Sequence, residues 1–183
     1  GLGNIGSSLY RHLIKNRENI KKKTNVNLII KYVSAKNKLK KRKINIPKNK
    51  WLKNYLDAAK HSEVDLVVEL IGGSDGAAKK LVYNSIKNKK HVVTANKALI
   101  SKHGDELSKL AEKNQVNLEF EAAVAGGVPI IRVIKEGLIS NTISKIYGIL
   151  NGTSNYILSK MLEKNMSFND VLREAKKLGY AES

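Results

Sequence analysis

A chain of 183 residues with 42% hydrophobic content supports one sizeable domain, or one domain and part of another. It has no cysteine, which excludes disulfides and thiolate metal sites, and no apolar run near the ~20 residues of a membrane span, so a soluble cytoplasmic protein without a membrane partner is expected. The 34 Lys and Arg against 16 Asp and Glu give a net charge of +18, densest over 36–50 (KNKLKKRKINIPKNK); the charge is mostly lysine, and Lys, Asn and Ile recur along the whole chain, so a codon-composition bias is favoured over a nucleic-acid surface, which interleaves Arg and aromatics.

The chain opens on Gly1-Leu2-Gly3-Asn4-Ile5-Gly6, the G-x-G-x-x-G spacing of a dinucleotide-binding turn. In such a turn one glycine allows the tight bend, one lets the backbone approach a pyrophosphate, and one lets a helix pack close to a strand. A strand leads into this turn in that fold, and none precedes it in the sequence, so a missing front strand is expected. Ile5, Leu9, Leu13 and Ile14 predict a helix over 5–15, and β-branched residues predict a strand over 26–33. The Lys-rich loop follows, then a helix over 51–60 and a buried strand over 64–70 (VDLVVEL), stopped by Gly72-Gly73-Ser74. A helix over 77–86, a strand over 91–94, a helix over 98–113 and a strand over 116–120 complete an alternating pattern. That pattern predicts an α/β fold with a doubly wound, Rossmann-type parallel sheet.

Around Ala125-Gly126-Gly127 the pattern changes. Pro129 suits the first turn of a helix reaching about Leu138; a strand is predicted over 143–150, a helix over 153–163, and Ser167 with Asp170 forms a capping box ahead of a helix that Gly179 can end. We expect a dinucleotide-binding domain over 1–126 and the start of an α+β substrate and dimerisation domain over 127–183.

Ligands in doubly wound sheets lie at the carboxyl ends of the strands. Three segments fall there: Gly72-Gly73, Thr94-Ala95-Asn96-Lys97, and 121–128 (EAAVAGGV). Backbone N–H groups of Gly72 and Gly73 suit a ribose or phosphate, or form an ordinary left-handed turn. Lys97 suits a substrate carbonyl or a proton transfer, or is a solvated residue opening a helix. Glu121 with loop carbonyls suits a hard cation, or simply ends a strand. The segment 151–156 (NGTSNY) suits a small polar substrate, or a turn and helix cap.

Together, GLGNIG (1–6), VVELIGG (67–73), HVVTANKALIS (91–101), EAAVAGGVPII (121–131), ILNGTSNYIL (149–158) and AKKLGYAE (175–182) closely resemble homoserine dehydrogenases, in family order over nearly the whole chain. The glycine fingerprint is shared by many dehydrogenases; TANKALIS and NGTSNYIL carry the specificity. The resemblance implies NAD(P)-dependent interconversion of L-homoserine and L-aspartate 4-semialdehyde, in threonine, methionine and isoleucine synthesis, by hydride transfer. It implies that the turn at Gly1, Leu2, Gly3, Asn4, Ile5 and Gly6 holds the cofactor backbone and that Gly72 and Gly73 flank the nicotinamide ribose. Lys97 meets cofactor and substrate as one of two functional lysines. Glu121 binds a sodium ion with the carbonyls of Val124, Gly126 and Val128. Gly179 and Glu182 lie at the substrate, Glu182 at its amino group.

The family's substrate-binding aspartate and second lysine are expected beyond Ser183, with the part that completes the sheet and the homodimer. The 183-residue chain by itself is therefore expected to be an inactive, unstable fragment, with unpaired backbone groups at a missing central strand worth roughly 1–3 kcal/mol each. Cofactor choice is argued from charge. An acid about 20 residues after the glycines selects NAD; the stretch Tyr32-Val33-Ser34-Ala35-Lys36 has none, and Ser34 and Lys36 suit a 2′-phosphate, so NADP(H) is expected at least as good as NAD(H). The competing readings are another NAD(P)-dependent oxidoreductase of the aspartate dehydrogenase type, a basic nucleic-acid-binding module, and a nucleotide-binding domain kept for regulation or assembly.

Overall fold

The computed structural model of the chain describes residues 1–149, 152–178 and 180, which fall into two compact units, Gly1–Gly137 and Leu138–Ser183.

In the first unit, helix α1 spans Asn4–Thr24, longer than the apolar spacing predicts. Past Lys15 its surface is polar and periodicity carries no signal, while Lys21, Lys22 and Lys23 in the last turn complement the negative end of the helix dipole. Asn25 ends it in the left-handed conformation, φ 55°, with its N–H donating to the Lys21 carbonyl. After a single 3₁₀ turn at Lys48–Lys50 and the short helix α2 (Asp57–Lys60) come β1 (Leu66–Glu69), α3 (Ala77–Lys87), β2 (His91–Thr94), α4 (Lys97–Lys113) and β3 (Leu118–Glu119). The strands pair in parallel in the order β1-β2-β3, Leu66 facing His91 and Val92 facing Leu118. Parallel neighbours need a crossover, and α3 and α4 are those crossovers. Val82 and Ile86 of α3, Val92 of β2, and Leu99 and Leu107 of α4 are fully buried in one cluster. A second cluster gathers Ala59, Val64, Val67 and Leu81. The α/β, Rossmann-type expectation is borne out.

Three expected elements change. The segment 26–33 forms no strand: only Val33 pairs, in a parallel bridge with Trp51, its N–H donating to the Lys50 carbonyl at 2.8 Å and its carbonyl accepting from Leu52 at 3.0 Å. A β-branched run becomes a strand only beside a partner. The same bridge holds Trp51 extended, and the Asn54 side chain accepts from the Leu56 N–H at 3.0 Å, so the helix expected over 51–60 shrinks to α2. Pro129 stands before a helix rather than in it. After α5 (Glu121–Val124), α6 covers only Ile130–Arg132 and widens into a π turn at Val133–Gly137.

The second unit has its own small core. Helices α7 (Gly152–Lys164) and α8 (Phe168–Lys177) bury Ile157, Val171 and Ala175 against each other. Ser167 caps α8 as expected, its hydroxyl accepting from the Asp170 N–H at 3.2 Å and donating to the Asp170 carboxylate at 2.6 Å. The strand expected over 143–150 is absent at 143–149, where Ile146, Tyr147 and Ile149 are exposed with no ladder partner; Leu150 lies outside the described residues.

Candidate functional site

Three loops meet at the carboxyl ends of β1 and β2. The first is the glycine turn, whose glycines have separate physical reasons. A Cβ on Gly1 would collide with the Leu70 carbonyl oxygen at the end of β1, and a Cβ on Gly6 would collide with the Gly1 carbonyl oxygen. Those two glycines allow close packing. Gly3 has φ −77°, and a Cβ there would meet nothing within 4 Å. Its open side faces outward at the start of α1, where no side chain caps the free N–H groups and the first turn holds no acid. Such a helix start attracts an anion. Leu2 is buried with Tyr10 and Val33, whereas Asn4 and Ile5 are exposed.

The second loop follows β1. Gly72 and Gly73 have φ 89° and 79°, the left-handed region that favours glycine. The Gly72 N–H points inward, donating to the Glu69 carboxylate at 3.3 Å, as the Ile71 N–H does at 2.5 Å. Beyond it Asp75 accepts from Lys102 at 2.7 Å and from Ser74 at 2.7 Å and lies 2.9 Å from Nε2 of His103, tying the loop to α4. The Lys102 ammonium, then the Ser74 hydroxyl and His103, hold the Asp75 carboxyl well below the usual carboxylate range.

The third loop joins β2 to α4. Asn96 caps the helix, its Oδ1 accepting from the Leu99 N–H at 3.1 Å, and its Nδ2 donates to the Gly73 carbonyl at 2.7 Å. Lys97 is therefore the first residue of α4, exposed, one residue from the tie to Gly73.

Lys36 is exposed just past the Val33 bridge. The basic loop is fastened to the glycine turn by Arg42: Nε donates to the Leu2 carbonyl at 2.9 Å, Nη1 to Lys40 at 2.8 Å, and Nη2 to Asn37 at 2.7 Å, with the guanidinium 5.7 Å from the Trp51 ring centre. Glu121 begins α5 two residues after β3. Its carboxylate accepts from the N–H groups of Ile131 and Arg132, both at 2.9 Å, and so caps α6. The Val128 carbonyl accepts from Ile130 at 2.8 Å. The donor set Glu121, Val124, Gly126 and Val128 is all oxygen, the chemistry a hard cation takes, and oxygens already accepting one bond keep a second lone pair. Gly179 and Glu182 lie outside the described residues.

Sequence reasoning missed Glu69 and the two-way role of Asn96. The signal for Glu69 is a charged residue inside an apolar run; for Asn96 it is a capping residue just ahead of a helix.

A family model described as "Homoserine dehydrogenase, NAD binding domain" matches residues 1–121, and one described as "Homoserine dehydrogenase" matches residues 129–183. The homoserine dehydrogenase of Neisseria gonorrhoeae is 46% identical over 183 residues, which are 100% of this chain and 42% of that protein. The fold is similar to that of a homoserine dehydrogenase from Thiobacillus denitrificans, with TM-score 0.85, 44% identity, and coverage of 100% of this chain and 42% of that one. An S. aureus homoserine dehydrogenase gives TM-score 0.77 at 40% identity, covering 100% of this chain and 44% of that one. The chain thus spans less than half the length of these relatives. Since the matched regions take in the glycine turn, both loops that flank it and the helices of the second unit, the chain belongs to the homoserine dehydrogenase family.

Proposed function

We propose that the polypeptide carrying this sequence interconverts L-homoserine and L-aspartate 4-semialdehyde with a nicotinamide cofactor, in the synthesis of threonine, methionine and isoleucine. The observation that carries the reading is the tie between Gly73 and Asn96, the residue before Lys97, which joins two segments that the family resemblance assigns to the cofactor. When bound, the nicotinamide supplies or takes up the hydride. The chain's residues do the rest. The open side of Gly3 and the start of α1 receive the pyrophosphate; Gly72 and Gly73 flank the ribose; Lys97 orients the substrate oxygen and stabilises its charge. Gly179 and Glu182 meet the substrate, Glu182 at its amino group.

NADP(H) is used at least as well as NAD(H), supported by Ser34 and Lys36 with no acid between Tyr32 and Lys36. Sodium is held by Glu121 with the carbonyls of Val124, Gly126 and Val128, supported by the all-oxygen donor set. Residues 1–126 form the cofactor unit and 127–183 the start of the substrate and homodimer unit, a division supported by the family matches to 1–121 and 129–183. No described helix is long and apolar enough to cross a membrane; the compartment proposed is the cytoplasm.

The test is homoserine oxidation by the complete polypeptide, followed as cofactor reduction. Turnover with homoserine and none with aspartate is expected; the reverse would assign the site to the aspartate dehydrogenase type.

A further inference from the structure

Strand β1 reads Leu-Val-Val-Glu, and its one charged side chain, Glu69, is completely buried. A carboxyl group leaves water only when its hydrogen bonds are replaced. Glu69 is met by donors on both oxygens. Oε1 accepts from the Ile71 N–H at 2.5 Å and the Gly72 N–H at 3.3 Å, and Oε2 accepts from the Thr94 hydroxyl at 2.6 Å. Thr94, also fully buried, accepts in turn from the Asn96 N–H at 3.0 Å. Asn96 closes the circuit by donating to the Gly73 carbonyl at 2.7 Å. The ring runs Glu69, Gly72, Gly73, Asn96, Thr94 and back to Glu69, joining the end of β1 to the end of β2.

The sheet does not need this ring for cohesion. Val67 and Val92 already bury the neighbouring positions, and β1 and β2 pair in parallel along their whole length. What an acid adds is placement. A group that accepts on both oxygens fixes the main chain at Gly72 and the hydroxyl of Thr94 at once, and a satisfied buried network specifies one arrangement. Glutamine does this only in part: with its carbonyl toward Ile71 and Gly72, its NH₂ meets a Thr94 hydroxyl that must turn its own proton away, and a neutral carbonyl accepts more weakly than a carboxylate.

We propose that Glu69 is a positioning residue, which through this ring sets the spacing between the Gly72–Gly73 turn and Lys97. The inference rests on the reading above that these two places meet the nicotinamide end of the cofactor.

The test uses the complete polypeptide and the variants E69Q and T94V. Binding of NADPH is compared with binding of adenosine 2′,5′-bisphosphate, which lacks the nicotinamide and its ribose, and kcat is measured at saturating cofactor. E69Q is expected to weaken NADPH roughly tenfold, to leave the truncated ligand within about twofold, and to lower kcat by about fivefold or more, since misplacing reacting groups is penalised steeply. T94V shifts the same quantities in the same direction by less. Equal weakening of both ligands, or no change in either, in folded variants overturns the proposal and leaves Glu69 a structural residue. If E69Q does not fold, T94V decides alone by the same split. Wild-type polypeptide that binds NADPH without oxidising homoserine overturns the catalytic reading, and the two-ligand comparison still decides Glu69. Wild-type polypeptide that binds no NADPH overturns both.

Discussion

Asn96 hydrogen-bonds in two directions at once, its amide oxygen accepting from Leu99 at 3.1 Å and its amide nitrogen donating to the Gly73 carbonyl at 2.7 Å. The first bond starts α4 and the second holds the turn after β1. Asn96→Ala removes both and is expected to lower stability by about 1–3 kcal/mol in denaturant unfolding. Asn96→Ser keeps a cap but cannot reach Gly73, so it should recover much of the stability without recovering cofactor affinity. Full recovery of both by serine would show that the tie to Gly73 does not matter to binding.

Gly3 and Gly6 should respond in opposite ways to the same change. Gly6→Ala drives a methyl group into the Gly1 carbonyl and should destabilise by about 1–3 kcal/mol. Gly3→Ala meets open space at an ordinary φ, so thermal stability should hardly change while NADPH binding weakens by about tenfold, the methyl occupying the pyrophosphate's approach. Thermal melts paired with cofactor titration separate the two; undiminished binding by the Gly3 variant would remove the turn from the cofactor site.

Lys97→Ala in the complete polypeptide is expected to lower kcat by at least about tenfold, the scale of a lost proton-transfer or charge-stabilising group. An unchanged kcat would take Lys97 out of the mechanism.

In the second unit, the Tyr156 hydroxyl donates to the Glu174 carboxylate at 2.7 Å, and Lys160 lies 3.4 Å from the same oxygen. The tyrosine bond first, with the lysine, holds the Glu174 carboxyl below its ordinary 4.5, and the same bond pushes the Tyr156 phenol from 10.0 up to about 12. The depressed carboxyl gives stability that is present above pH 4.5 and lost as pH falls through the lower folded value. The raised phenol gives stability that is full below pH 10.0 and lost as pH rises through about 12. Tyr156→Phe removes both. The stability difference between wild type and this variant should therefore be greatest from about pH 5 to 10 and shrink at both ends, as read from urea midpoints. A difference that shrinks at neither end would show that the ionised pair contributes nothing.

Lys36→Ala should raise the KM for NADP⁺ several-fold and leave that for NAD⁺ within about twofold, because only the former carries the 2′-phosphate. A strong preference of the wild type for NAD⁺ would reverse the cofactor assignment.

Where spacing is regular and the ends are marked, the fold was legible: β2 and α4 fall within one residue of expectation, since Asn96 caps the helix and Val92, Leu99 and Leu107 repeat toward one core. The strand over 26–33 was not legible, because β-branched residues state a preference and the partner decides; only Val33 has one. The close packing at the glycine turn was legible, since a Cβ on Gly1 or Gly6 has no room there. Glu121 was found by its loop, but its bonds to Ile131 and Arg132 depend on a turn that sequence periodicity does not describe. Glu69 hid in an apolar run because a pattern of burial treats an isolated charge as noise, whereas the physics of desolvation makes it the most informative residue there.

Arg42 leaves one more consequence. Its guanidinium is occupied by the carbonyls of Leu2, Lys40 and Asn37, so the charge that the run over 36–50 offers to solvent is carried mainly by lysines anchored beside the glycine turn. Charge exposed in this way acts on an approaching anion at a distance, and salt screens it. Added salt should slow the arrival of an anionic cofactor while changing its departure little.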